Sequence, residues 1–374
     1  MTSRERLLAA LNGKTTDRLP YAPLLSQYYF ESLKDDSLKN IVSASAYIGS
    51  DILKRHCPCI EAVYNSAEVR DEIVNGVTRR TFTSRLGSVS QESYWKDGTM
   101  HSVKRCIASL DDLKIMTDIY ANVDYIPNYD AFAAEEKIIG DAGLATADGP
   151  MSPLLYIIQH LSTLEDVTYL MYDEADAVEE FFQIVHESNL KYYKLIREME
   201  LNCVMAYEDT STSLISRDWM KKYAVPTLNE YAKIMADSPN RFIVHMCGKL
   251  QGFKDDIRTL TCDGFDSLCP PSTGDTCIWN ARNDWPDKCL IGGIDPVAWK
   301  YQTPVEILNS VKTILLNLKN KTGFILCSGD SVAAGTPIDN LKIITEFIKL
   351  GGAEFLKTDI SESFIDECLN KFVM

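Results

Sequence analysis

The chain has 374 residues, 45% of them hydrophobic, which suffices for one large core, so a single domain spanning 1–374 is expected. A formal net charge of -15 argues against nucleic acid or an anionic membrane as partner, because phosphate binding draws on Lys and Arg. With no apolar run of membrane-spanning length and no signal-like leader, a cytoplasmic protein that keeps its 11 cysteines reduced is expected.

An N-terminal helix over Ser3 to Asn12 precedes a series of apolar runs suited to buried strands. In chain order they are Leu19 to Leu25, Asp51 to His56, Gly140 to Thr146, Cys203 to Glu208, Arg241 to Cys247, Gly264 to Cys269, Lys288 to Gly292 and Phe324 to Ser328. Helical segments fall between them, among them the amphipathic Asp176 to Glu200, Asp218 to Asp237 with a kink at Pro226, and Pro304 to Leu318. This alternation predicts an α/β fold with a parallel sheet, and eight strands suit closure into a (β/α)8 TIM barrel with an N-terminal helical segment. Residues 68–103 break the pattern. The turn pairs Asn75-Gly76 and Asp97-Gly98 separate β-prone stretches and predict inserted β-hairpins over part of the barrel mouth.

The sharpest chemical signal is His245-Met246-Cys247-Gly248, at the end of the run ArgPheIleValHis. Alternation along a strand points His245 and Cys247 the same way, about 6 to 7 Å apart at Cα, so imidazole and thiolate can share one tetrahedral zinc. A third ligand is needed. Cys327, closing the last strand, can reach the same mouth; Cys269, Cys289 and the carboxylate of Asp330 compete for the place. Glu208 and Asp209, directly after CysValMetAlaTyr, are the carboxylates expected to occupy or adjust the open position of such an ion, Glu208 being the candidate catalytic residue. Tyr28, Tyr29, Tyr207 and Trp279 are expected to line the pocket or pack beside it.

The ordered series ArgGluArgLeuLeuAlaAlaLeuAsnGlyLys, AspArgLeuPro, GlyProMetSerPro, ValHisMetCysGly, GlyGlyIleAspPro and GlyThrProIleAspAsnLeu resembles the uroporphyrinogen decarboxylase superfamily, and more closely its zinc-dependent corrinoid methyltransferase branch. The resemblance implies His245, Cys247 and Cys327 as zinc ligands. It departs from the branch's methylcobamide-to-thiol members, whose late cysteine aligns with Asp330 here. The arginine-rich clamp of the decarboxylases is missing, since no arginine lies between Leu19 and Lys54, so polycarboxylate substrates fit poorly. What the resemblance implies is a methyltransferase working with a small methylated substrate, an aryl methyl ether in the favoured reading. A methyl-corrinoid:thiol reaction of the coenzyme M type and a carboxy-lyase are the alternatives. No Asp-x-His-x-x-Gly segment is present to ligate a corrinoid, so the cobalt is expected to arrive on a separate corrinoid protein.

Overall fold

The computed structural model describes residues 1–372. Its strands, in chain order, are β1 (Ile52–Cys57), β2 (Ile60–Tyr64), β3 (Ala67–Val74), β4 (Val77–Ser84), β5 (Gly87–Lys96), β6 (Thr99–Lys104), β7 (Val123–Pro127), β8 (Gly143–Gly149), β9 (Cys203–Tyr207), β10 (Arg241–His245), β11 (Gly264–Leu268), β12 (Cys289–Ile294) and β13 (Phe324–Ser328). Seven of them form one parallel sheet in the order β1-β8-β9-β10-β11-β12-β13. The gap between β13 and β1 is filled by the first predicted run. There the Leu326 N–H donates to the Pro20 carbonyl at 2.9 Å, the Ala22 N–H to the Leu326 carbonyl at 3.0 Å, and the Asp51 N–H to the Tyr21 carbonyl at 2.8 Å. Pro20 and Pro23 have no N–H to give, so this eighth stave makes a bridge at Tyr21 rather than a ladder, and the TIM barrel closes on it.

Inward-facing residues of alternate strand positions fill the barrel. Leu53, Leu144, Cys203, Met205, Ile243, Cys289, Ile291, Ile325 and Cys327 make one buried cluster, which Leu7, Ala10 and Leu11 of the N-terminal helix seal from below. That helix (Ser3–Leu11) starts with a reciprocal cap between Thr2 and Glu5. Outward-facing residues pack under the surrounding helices, the longest being Ala175–Ile196. The predicted kink near Pro226 is a widened turn over Met220–Ala224 that leads into the helix Val225–Met235.

The expected hairpins form a four-stranded antiparallel sheet, β3-β4-β5-β6, and β2 pairs separately with β7. Asn75-Gly76 and Asp97-Gly98 both carry positive φ at two successive residues, the tight turn whose twist matches the flanking strands. Gly98 is also held by space. A Cβ there would stand 2.6 Å from the Gln27 carbonyl oxygen, so the β5–β6 turn rests on the Gln27-Tyr28 backbone. Among the described residues no helix is long and apolar enough to cross a membrane.

Candidate metal centre and substrate cavity

Several inward staves of the barrel carry polar residues toward the C-terminal mouth. After Leu53 comes Arg55, after Met205 come Tyr207 and Asp209, after Ile243 come His245 and Cys247, and β11 contributes Asp266 from its middle. The donor atoms of Asp209, His245 and Cys247 all lie within 4.8 Å of one another. Asp209 Oδ1 stands 3.7 Å from His245 Nε2 and 3.4 Å from Cys247 Sγ.

The other imidazole nitrogen is anchored. His245 Nδ1 lies 2.7 Å from Asp266 Oδ2, and Arg55 holds Asp266 with Nε at 2.9 Å and Nη2 at 2.6 Å. A carboxylate on Nδ1 leaves Nε2 facing Asp209 and Cys247 with its lone pair, the arrangement that makes a histidine a metal ligand. Burial alone would raise the carboxyl of Asp266, but the Arg55 charge and the His245 hydrogen bond hold it well below the usual carboxylate range.

The donor set fits a divalent ion that takes nitrogen, sulfur and oxygen together, as zinc does. Burial, then the charges of Asp209 and Asp330, push the Cys247 thiol far above its ordinary value. Two carboxylates around a half-buried thiol, with no facing lysine or arginine unpaired, form an environment that a cation relieves by drawing off the thiol proton.

The remaining expected site residues are placed differently. Cys327 is fully buried beneath the mouth, its Sγ 3.5 Å from Arg55 Nη2 and 3.9 Å from Ser328 Oγ, and it is not among the grouped donor atoms. Burial raises its thiol, against the pull of the Arg55 charge. Glu208 turns away from the barrel axis. It accepts the Ser152 N–H at 2.7 Å and binds the Ser152 hydroxyl, which fixes the GlyProMetSerPro turn at the start of the helix Pro153–Tyr156. Burial raises its carboxyl to about 7, against the lowering effect of both Ser152 hydrogen bonds. The neighbouring Asp209 takes the position beside His245 because successive residues leaving a strand point to opposite sides.

Asp330 does share the mouth, on the wall of a cavity of about 660 Å3 whose floor carries His245, Cys247 and Asp209. Tyr207 lines the same cavity. Tyr29 is buried in the core with its hydroxyl on the Thr336 carbonyl, Tyr28 lies on the surface, and Trp279 borders a groove with Asn317 and Asn320 elsewhere.

Several residues of the cavity and its support escaped sequence reasoning. Arg55 and Asp266 are charged residues on strands that line the barrel interior, and in β11 the lone charge of Asp266 among buried neighbours is the signal that marks it. His56 follows Arg55 with φ at +60°, a strained conformation for a side chain with a Cβ. Its ring stacks on Tyr207 at 3.9 Å and its Nδ1 stands 3.5 Å from Asp148 Oδ1, at the rim of the cavity. His160 lines the cavity too, and a set of tyrosines walls its far side.

Residues 101–350 match the model of the uroporphyrinogen decarboxylase (URO-D) family. Among solved structures, the chain is similar to a methyltransferase from Methanosarcina mazei at 13% identity, with a TM-score of 0.60 and 100% of each chain covered. No curated protein matches the sequence.

Proposed function

The chain belongs to the uroporphyrinogen decarboxylase family, and from that premise we propose that it is a zinc-dependent methyltransferase acting between a small methylated molecule and the cobalt of a corrinoid on a separate protein. The observation that carries the reading is the convergence of Asp209, His245 and Cys247 at the cavity floor with Asp266 behind the imidazole. His245, Cys247 and Asp209 would hold the ion, with Asp330 on the adjoining wall. Zinc bound there supplies a Lewis acid that withdraws charge from a donor oxygen or activates a thiol. Asp266 keeps the imidazole aimed, and Arg55 keeps Asp266 ionised and fixed. Tyr207 and His56, stacked on each other, narrow the mouth beside the floor. The methyltransferase fold of the Methanosarcina mazei protein is in keeping with this assignment.

An aryl methyl ether is the favoured substrate, because aromatic side chains wall the space adjoining the donor atoms and a Lewis acid on the ether oxygen helps the aryloxide leave. A thiol of the coenzyme M type is the second reading. Decarboxylation of a polycarboxylate is disfavoured by the cavity itself, where the guanidinium of Arg55 is already bound to Asp266 through both oxygens. The proposal is tested by incubating the zinc-loaded protein with a reduced corrinoid protein and a panel of methoxyarenes, methanol, methylamines and methylthiols. Methyl transfer, followed through the corrinoid absorbance, is expected with one member. Turnover without added corrinoid protein, or none with any member, refutes it.

A further inference from the structure

The far wall of the cavity offers mostly rings, beside the unpartnered Gln159 amide and Ser26 hydroxyl. Tyr120 and Tyr156 pair their hydroxyls with each other, Tyr125 pairs with Ser188 at 2.8 Å, and Tyr192 donates to the Asp148 carbonyl at 2.9 Å. What these side chains present to a bound molecule is aromatic surface.

The charges on the wall are one-sided. Asp148, Asp209 and Asp330 line the cavity, no lysine does, and Arg55 is already neutralised by Asp266. Burial and the charge of Arg105 hold His160 toward its neutral form. A divalent ion at the floor would be balanced by the Asp209 carboxylate and the Cys247 thiolate, leaving Asp330 on the wall and Asp148 facing the His56 imidazole. Asp148 is the more exacting of the two. Its Oδ1 is buried and accepts no hydrogen bond, with His56 Nδ1 the closest basic atom at 3.5 Å. A second anion entering beside Asp148 meets a half-exposed carboxylate at the rim, one of whose oxygens is shielded from water.

We propose that the cavity rejects anionic methyl donors, that Asp148 is the residue setting this selectivity, and that the donor is an uncharged methoxyarene. The inference rests on the reading of this cavity as the donor site. It separates arenes by charge, in the sense opposite to the preference of a divalent ion for anionic ligands.

Calorimetric titration of the zinc-loaded protein with vanillyl alcohol and vanillate compares a neutral and an anionic arene of nearly equal size, without requiring turnover. The alcohol is expected to bind at least about tenfold more tightly, and Asp148→Asn to narrow that ratio mainly by improving vanillate. Equal binding, or a preference for vanillate, by the unaltered protein overturns the inference whether or not the variant folds. An unchanged ratio in a folded Asp148→Asn protein overturns the role of Asp148. Should neither arene bind, the aryl ether reading fails by itself. The charge rule is then decided by tetramethylammonium against methylthioethanesulfonate: preference for the cation supports it, preference for the sulfonate overturns it, and binding of neither overturns both.

Discussion

Asp266 Oδ2 and His245 Nδ1 stand 2.7 Å apart, and this contact ties the candidate metal site to the interior of the barrel, because the same carboxylate is clamped by Arg55. An outer partner of this kind orients its histidine and raises its basicity, and losing it typically weakens metal binding about 10- to 100-fold. Asp266→Asn is therefore expected to lower zinc affinity by that factor while leaving all three donor residues in place. Competition with a chromophoric chelator measures it, and an unchanged affinity would remove Asp266 from the site.

Asp209, rather than Cys327 or Glu208, stands with His245 and Cys247. Replacing Asp209, His245 or Cys247 by Ala is expected to weaken zinc binding by more than the outer-partner effect, about 100-fold or beyond. Cys327→Ala and Glu208→Gln are expected to retain the metal. Metal per chain, read by plasma emission after dialysis, sorts the five variants. Loss of zinc from Cys327→Ala with retention by Asp209→Ala would exchange the two assignments.

The barrel was legible in the sequence because its strands are buried on both faces and read as apolar runs between amphipathic helices. Even the stave around Tyr21, which makes no ladder, showed as such a run, since its burial and its bridging role do not depend on the N–H groups that Pro20 and Pro23 lack. The nearness of His245 and Cys247 was legible for a similarly local reason: period-two spacing at a strand end puts two side chains on one side. The carboxylate beside them was legible only as one of two, because which residue leaving β9 faces inward depends on where the strand stops, a single-residue matter between Glu208 and Asp209. The Arg55–Asp266 pair joins residues 211 apart in sequence across the barrel, and no local pattern encodes such a contact.

Arg55 and Asp266 are both nearly fully buried, so removing one leaves the other's charge without a partner. Arg55→Met is expected to destabilise the fold by about 3–5 kcal/mol, and Arg55→Met/Asp266→Leu by clearly less. Denaturant midpoints of the two variants test this. Asp266 is held below the usual carboxylate range, so its contribution is complete above its unfolded value near pH 4 and is lost progressively as pH falls from there to the lower folded value. A double variant as unstable as the single one would show that the pair's worth lies in geometry rather than in charge balance.

Glu208 behaves in the opposite sense. Burial raises its carboxyl to about 7 in the folded chain, against an ordinary value of 4.5. Between those two values the folded state holds a proton that the unfolded chain has released, so stability is greatest below the unfolded value and declines as pH rises through the folded one. The shift corresponds to roughly 3 kcal/mol across that window, at about 1.4 kcal/mol for each pH unit. Glu208→Gln keeps an acceptor for the Ser152 N–H but has no proton to lose. It is expected to erase this part of the decline, so that the variant gains on the unaltered protein between pH 5 and pH 8. Urea midpoints at several pH values read the difference directly; parallel curves for the two proteins would mean that Glu208 stays ionised throughout, held by Ser152 despite its burial.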